Sequence, residues 1–144
     1  MKKGFTLIEL LIVIAVISIL VSIALPRFRG MQDEGNIAKA KGELRTLQTA
    51  VESYYIHNNN VYPANLGTLD DQIPRIVGNV PTDPFTSGAD YGYARSGSGV
   101  YYVLYSIGPA LNGSAGVDGN GDVTESNGNS CIFATNGNDI DTRP

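Results

Sequence analysis

An uninterrupted apolar run near the start of the chain constrains its fold more than any other feature. Between Phe5 and Leu25 there are 21 residues, and Glu9 is the one charged residue among them. As an α-helix this run is about 31 Å long at about 1.5 Å per residue, which matches a hydrocarbon core about 30 Å thick. The sequence therefore predicts a membrane-spanning helix with one carboxylate close to its N-terminal end.

The apolar run has three possible fates: removal as a secretory signal, retention as a plain anchor, or retention after cleavage at its edge. A secretory signal ends in a small-residue cleavage site. Here the run ends in "IALPRF", and no such site precedes Pro26. We therefore expect the segment to be kept.

Glu9 has two explanations. It can lie at the headgroup level, close to a helix N-terminus, which favours acidic groups. Alternatively, it needs a positive partner, because a charge inside a membrane costs on the order of 3 kcal/mol at the helix centre and is usually functional. Cleavage between Gly4 and Phe5 would create a nearby amino group, and Glu9 would be the fifth residue of the product.

The stretch "KKGFTLIELLIVIAVISILVSIALP" resembles the N-terminal segment of type IV pilins and of the related pseudopilins of type II secretion. The resemblance implies that a prepilin peptidase cuts after Gly4 and methylates the new amino group of Phe5. It also implies that Glu9 neutralises the N-terminal amine of a neighbouring subunit during assembly into a helical filament. Pro26 stands where the family has a proline, and it should kink or loosen the helix or end its membrane part.

Residues 27–57 predict a second, amphipathic stretch of helix, because apolar residues recur at spacings of three and four. These residues are Ile37, Ala40, Leu44, Leu47, Val51 and Tyr54. After the "HNNN" turn, "ADYGYAR" and "GVYYVLYSIG" are joined by "SGSG", which predicts a β-hairpin. The predicted fold class is α+β: a long N-terminal helix packed on a small antiparallel sheet with a loop-rich C-terminal region.

The predicted organisation has four parts: a leader at 1–4, a membrane or filament-core helix at 5–26, an amphipathic helix at 27–57, and a globular β domain at 58–144. Residues 61–108, from "VYPANLGTL" to "YYVLYSIG", are similar to the globular domain of the major pseudopilin. This second resemblance is looser than the first.

The C-terminal loop contains "DGNGDVTES", which places oxygen-bearing side chains at Asp118, Asn120 and Asp122. Alternating oxygens in a glycine-rich loop suit a hard cation such as Ca²⁺. In the major pseudopilin family a calcium ion staples the corresponding loop, but "SIGPALNG" lacks an Asp that is common there. Calcium at these three residues and a solvated acidic loop are both open. Cys131 has no partner cysteine in the sequence, so no intramolecular disulfide closes this loop, and we expect Cys131 to be a buried strand residue.

Catalytic motifs are absent from the sequence: it contains no Cys-x-x-Cys pair, phosphate-binding loop or Gly-x-Ser-x-Gly elbow. We expect the protein not to be an enzyme. From Thr46 onward the sequence contains ten acidic residues and three arginines, so this part of the chain is negatively charged. Nucleic acid is therefore not an expected partner.

The sequence predicts a structural subunit of a type IV pilin-like filament, most simply the major pseudopilin of a type II secretion system. The alternatives are a major type IV pilin that forms surface fibres and, in another class, a membrane-tethered periplasmic binding protein or enzyme. Expected partners are further copies of the chain through the N-terminal helices, the prepilin peptidase, the inner-membrane assembly machinery and minor pilins. We expect a single inner-membrane span with a cytoplasmic N-terminus before assembly, and a periplasmic or extracellular filament afterwards.

Overall fold

The protein is described by a computed structural model that covers residues 4–70, 78–126 and 131–138. It forms two compact units that divide between Gly35 and Asn36. The predicted α+β class is confirmed, since one long N-terminal helix is followed by short antiparallel strands that pack on its second half.

Helix α1 runs from Leu7 to His57. Pro26 lies inside this helix, so the helix does not end there, and a kink at Pro26 stays a prediction. The helix ends where the asparagine run begins. Asn59 and Asn60 adopt φ values of 55° and 59°, and the Asn60 amide donates to the carbonyl of Tyr55 at 3.1 Å. Asparagine tolerates this left-handed conformation better than most residues, which makes it a suitable helix stop.

The strands form two small antiparallel sheets. A three-stranded sheet has the order β1 (Gly92–Arg95), β2 (Tyr102–Ser106), β5 (Ile132–Thr135), and a two-stranded sheet pairs β3 (Ser114–Val117) with β4 (Val123–Ser126). The predicted hairpin is confirmed as β1 and β2, in which Gly92 pairs with Tyr105. A Cβ atom on Gly92 would overlap the Tyr105 ring, so a larger residue at this position would force the ring to move.

The hydrophobic core lies between the second half of α1 and the three-stranded sheet. The predicted apolar stripe is confirmed: Ala40, Leu44, Leu47 and Val51 are buried, while Ile37 and Tyr54 are partly buried. They meet core residues that follow the helix, including Tyr62, Leu66, Leu69, Tyr91, Tyr102 and Leu104. Burying one such leucine stabilises the fold by about 1.5–3 kcal/mol, so a short stripe can hold a small domain to its helix.

Hydrogen bonds join the same two layers. The hydroxyl of Tyr91 donates to Glu43 Oε2 at 2.6 Å, and the hydroxyl of Tyr102 donates to Glu52 Oε1 at 2.8 Å. Gln48 Nε2 donates to the carbonyl of Thr135 at 3.0 Å. On one side of the apolar stripe α1 is therefore bonded to Tyr91, just before β1, and on the other side to β2 and β5.

The connection between helix and sheet holds one 3₁₀ turn, Leu66–Leu69, within its described part. Its later part is fixed by Asp83, which is 2% exposed. The Asp83 carboxylate accepts from the amides of Phe85 and Ile107 at 3.0 and 2.9 Å and from the hydroxyl of Ser106 at 2.9 Å. This single side chain ties the proline-rich connection to the end of β2.

The C-terminal region contains more regular structure than its glycine-rich and asparagine-rich composition predicts. Strands β3 and β4 form a hairpin, and β5 completes the larger sheet by pairing with β2. The prediction for Cys131 was wrong in detail, because the residue is half-buried and lies immediately before β5 rather than within a strand. Five residues on, Asn136 accepts the Tyr102 amide at 2.8 Å and so ends β5 against β2.

Candidate functional site

The N-terminal end of α1 is closed by reciprocal hydrogen bonds between Thr6 and Glu9. The backbone amide and hydroxyl of Thr6 donate to Glu9 Oε2 at 2.9 and 2.8 Å, and the Glu9 amide donates to the Thr6 hydroxyl at 3.3 Å. This is a capping box, in which residues three positions apart satisfy amides that the first helical turn leaves free. It fixes the Glu9 carboxylate beside the first turn of the helix. Gly4 and Phe5 precede the helix and are exposed.

The part of α1 before Pro26 exposes nearly all of its apolar side chains. Large residues such as Leu10, Ile14 and Ile17 are each more than 50% exposed, and the apolar window of α1 has a mean hydropathy of 3.0. By length and composition, this helix can cross a membrane. A surface of this size is not stable in water, so it needs either lipid or other apolar helices around it.

Glu9 is the one group in this segment that carries a charge. The two serines of the segment are satisfied by their own helix, since the hydroxyl of Ser18 donates to the carbonyl of Ile14 at 2.7 Å and that of Ser22 to Ile19 at 2.8 Å. They add little cost in an apolar environment. Glu9 differs because hydrogen bonds from Thr6 leave its negative charge uncompensated, and a charge in a low-dielectric medium needs a cation.

The second predicted site lies in the loop between β3 and β4. Asp118 Oδ1 accepts from the amides of Asn120 and Asp122, both at 2.9 Å, and Oδ2 lies 3.4 Å from the side-chain amide of Asn120. Asp122 Oδ1 in turn accepts from the side-chain amide of Asn138 at 3.3 Å. The backbone amide of Asp122 largely accounts for the lowered pKa of Asp118, because these bonds favour the ionised carboxylate.

The structure brings Asp118, Asn120 and Asp122 together in one turn, but their contacts do not form a ready cation site. The amide donors of the loop bind mainly to Asp118 Oδ1, while Oδ2 has only the 3.4 Å contact with Asn120. Within residues 4–70, 78–126 and 131–138 no three His, Cys, Asp or Glu side chains are grouped so as to hold a metal ion. Calcium at this loop stays a prediction.

Sequence reasoning identified Gly4, Phe5 and Glu9 but missed Thr6. The signal was present, because Thr-x-x-Glu directly before an apolar run is the pattern of a capping box. The network around Glu52 was also missed: this half-buried carboxylate accepts from the hydroxyls of Tyr102 and Tyr62. The partners of Glu52 lie far along the chain, and no local pattern marks them.

Comparison with known proteins agrees with this geometry. Residues 1–25 match the family model described as the prokaryotic N-terminal methylation motif. This motif includes the apolar start of α1 and its one acid, and a soluble domain built on the same helix follows it. Together these features define a pilin-like filament subunit. Residues 27–126 match the family model of type II secretion system protein G. The chain belongs to that family.

Individual relatives are similar over most of the chain. The type II secretion system core protein G of Pseudomonas aeruginosa is 27% identical over 136 residues, which cover 85% of this chain and 93% of the relative. The protein of the same name from Escherichia coli is 29% identical over 122 residues, covering 75% of this chain and 82% of the relative. The fimbrial protein EcpB of Eikenella corrodens is 50% identical over 72 residues, which cover 49% of this chain and 45% of the relative. No solved structure matches the chain.

Proposed function

We propose that this chain is the major subunit of the pseudopilus of a type II secretion system. The observation that carries the proposal is the match of residues 27–126 to protein G, because this part contains the soluble domain rather than the shared N-terminal motif. Relatives named as core protein G align with 82% and 93% of their own lengths. The subunit would polymerise by removing its apolar helix from the membrane and packing it against the helices of other copies.

Processing prepares the subunit for this step. Hydrolysis of the Gly4–Phe5 bond by the prepilin peptidase frees the amine of Phe5, and the same peptidase methylates it. Both residues lie before the first residue of α1 and are exposed, so they are accessible to the peptidase. Loss of Lys2 and Lys3 changes the formal net charge from −4 to −6, so the processed subunit is more acidic than its precursor.

Glu9 then selects the axial position of the incoming subunit. The capping box holds its carboxylate at the start of α1, in the first turn of an apolar helix. A neighbouring Phe5 amine at the same level neutralises this charge, while other axial positions leave both charges unpaired in an apolar core. Such a pair contributes register more than stability, because removing two charges from water offsets much of their attraction.

Location and partners follow from the same proposal. The subunit waits as a single-pass protein of the inner membrane with its N-terminus in the cytoplasm, and the inner-membrane assembly machinery inserts it into a periplasmic filament that minor pilins accompany. The family consists of structural pseudopilins rather than enzymes, and we propose that this chain likewise has no catalytic role.

A surface fibre is the second candidate, because part of the chain is also similar to a fimbrial protein. Similarity to a fimbrial protein reaches 50% identity, although it covers only 49% of this chain. The N-terminal motif is common to pilins and pseudopilins, so this match does not separate the two. The match of the soluble part to protein G favours the pseudopilus.

The proposal is tested by deleting the gene in its host and measuring both secretion and fibres. A secretion pseudopilin is expected to be required for export of folded proteins from the periplasm, and mass spectrometry of the assembled subunit should show an N-methylated chain that begins at Phe5. Normal secretion together with loss of long surface fibres would favour the pilin. An intact Met1 in assembled subunits would contradict the proposed processing.

A further inference from the structure

A groove of about 330 Å³ lies in the soluble unit between the end of α1 and the turn that joins β1 to β2. Tyr55 and Val61 line it on the helix side, and Arg95, Ser98 and Val100 line it on the hairpin side. Val61 is 51% exposed and Val100 is 54% exposed, so two apolar side chains flank an exposed arginine. The groove therefore offers a cation and an apolar surface side by side.

The Arg95 guanidinium is held in place but is not neutralised. Its Nη1 donates to the carbonyl of Tyr62 at 2.7 Å, which is a bond to an uncharged acceptor. The one ion pair within the described parts of the chain joins Lys39 to Glu43, so Arg95 has no carboxylate partner there. A guanidinium has five N–H donors in a planar fork that suits a carboxylate.

Assembly of this chain with itself brings negative charges together. The processed subunit has a formal net charge of −6, and from Thr46 onward ten acidic residues face three arginines. Copies of such a subunit repel one another unless positively charged side chains of one copy form ion pairs with carboxylates of the next. Among the described residues after Thr46, Arg95 is the one arginine or lysine available for such a pair.

Most carboxylates of the described chain already have partners within it. Glu9, Glu43, Glu52, Asp83, Asp118 and Asp122 accept hydrogen bonds from their own chain. Glu125 also has a partner. Asp70 Oδ1 has no hydrogen-bond partner in the described part of the chain but is buried. Three exposed carboxylates have no partner among the described residues, and they belong to Asp33, Glu34 and Asp90.

Glu34 suits the groove best of these three. It lies three residues after Met31 on α1, and helical residues at this spacing share a face. Met31 is 67% exposed, so this face presents an apolar side chain beside a carboxylate. Asp33 has Gly30 at the corresponding position, and its other apolar neighbour on the helix, Ile37, is partly buried. Asp90 lies between Ala89 and the buried Tyr91, so neither acid has a large exposed apolar side chain beside it.

We propose that the Arg95 groove binds Glu34 and Met31 of a neighbouring subunit in the filament. The guanidinium pairs with the Glu34 carboxylate, and Met31 packs on Val61 and Val100. The inference rests on the proposed polymerisation and adds to it a specific contact outside the membrane segment. Because the contact joins a helix to a soluble domain, it fixes the rotation of each subunit as well as its axial position.

Charge reversal in the full chain tests the pairing. Arg95→Glu and Glu34→Arg each place like charges together, and each is expected to lower the amount of pelleted filament by about tenfold or more. The double variant restores an attractive pair and should recover most of the wild-type amount. Arg45→Glu is the matched control at another exposed arginine, and Asp33→Arg is the control at the adjacent acid. Both should assemble as the wild type does.

A crosslink tests proximity without relying on charge. Ser98→Cys combined with Met31→Cys, with Cys131 replaced by Ala, is expected to give disulfide-linked ladders of two, three and more subunits after oxidation of filaments. Either cysteine alone should give no ladder longer than a dimer. A crosslink formed within single chains would overturn the proposal.

The other outcomes are equally decisive. Three results would each overturn the Glu34 pairing. The first is that both single charge variants assemble as well as the wild type, and the second is that the double variant does not recover assembly. The third is that Asp90→Arg rescues Arg95→Glu. In all three cases the wild-type chain still forms filaments, so the proposed function stands. If the wild-type chain itself forms no filament, the proposed function fails first.

Discussion

The hydroxyl of Tyr102, at the start of the central strand, donates to Glu52 Oε1 on the helix at 2.8 Å. Tyr62 donates to the other oxygen of the same carboxylate at 3.2 Å, and Asn136 donates to the Tyr62 hydroxyl at 3.0 Å. Four segments of the soluble unit therefore meet at one half-buried acid. Such a network stabilises the fold only when each member has its partners.

Tyr102→Phe is expected to destabilise the soluble unit by about 1.5–3 kcal/mol, the range for a hydrogen bond to a charged group. The ring stays and only the hydroxyl is lost, so packing in the core is unchanged. Urea unfolding of a fragment that begins at Asn36 measures the effect, since this fragment contains the whole buried core. Tyr101→Phe is the control, because no hydrogen bond of the Tyr101 hydroxyl joins it to the described residues. An equal loss in both variants would contradict a specific role for Glu52.

Asp83→Ala is expected to cost about 3 kcal/mol or more, because two amides and a hydroxyl would be left buried without their acceptor. Asp83 is 2% exposed, so water cannot readily replace the carboxylate. Asp90→Ala removes a nearby exposed acid and should change stability by less than about 0.5 kcal/mol. Thermal unfolding of the same fragment measures both variants, and similar melting temperatures would show that the Asp83 bonds are dispensable.

Alkaline pH should destabilise the soluble unit through groups whose pKa is raised by loss of solvent on burial. These include Tyr91, Tyr93 and Tyr102, and also Tyr62 and the half-buried thiol of Cys131. Loss of solvent on burial, with the nearby Glu52 carboxylate, raises the pKa of Tyr62 from 10.0 to about 12. Loss of solvent likewise raises the pKa of Cys131 from 9.0 to about 12. The unfolded chain releases both protons first, so their contribution is complete below pH 9 and is lost as pH rises from 9 to 12.

Melting temperatures measured between pH 8 and pH 12 check this expectation. The combined replacements Tyr62→Phe and Cys131→Ala should make the decline shallower above pH 9, whatever they do to stability at pH 8. A decline of the same slope in the variant would assign the alkaline effect to other groups.

Calcium is expected to stabilise the soluble unit if the loop of Asp118 and Asp122 binds it. At a concentration one hundred times the dissociation constant, the gain is about 2.7 kcal/mol. The fragment from Asn36 should then melt several degrees higher in calcium than in chelator, and Asp118→Ala with Asp122→Ala should abolish the difference. Equal melting temperatures would leave the loop as a turn held by its own amides, with no metal.

Changes at Glu9 separate the helix cap from the charge. Gln retains the hydrogen-bonding pattern of a capping box but has no charge, whereas Asp keeps the charge on a shorter side chain. We expect Glu9→Ala and Glu9→Gln to insert in the membrane and fold normally but to assemble poorly, with Glu9→Asp less impaired than Glu9→Gln. The amount of filament recovered by shearing measures assembly. If Gln assembled as well as the wild type, the pairing with a neighbouring amine would be wrong.

The helix was predictable because its signals are local. Leu44 and Val51 follow a helical period, and the apolar run around Ile14 is longer than any ordinary core segment requires. The hairpin of β1 and β2 was predictable for the same reason, since β-branched and aromatic runs flank a short turn. These features lie within one element or between neighbours.

The missed features depend on distant partners. Asp83 binds Ser106 and Ile107, which are 23 and 24 residues further along the chain. A strand next to Cys131 was expected, but the pairing of β5 (Ile132–Thr135) with the distant strand β2 was not. The Asp118 loop had a recognisable pattern of oxygen-bearing side chains, but in the fold the Asp118 carboxylate accepts hydrogen bonds from amides of the same turn.

The uncovered side chains of the first helix also affect how a filament can grow and shrink. Lipid tails are about as apolar as leucine, so moving Leu10 or Ile17 from a bilayer into a bundle of like helices changes their solvation free energy little. The bilayer and the filament core then solvate the helix about equally well. Subunits can therefore exchange between the membrane and the filament. The groups whose free energy differs between these two environments determine whether the filament grows or shrinks.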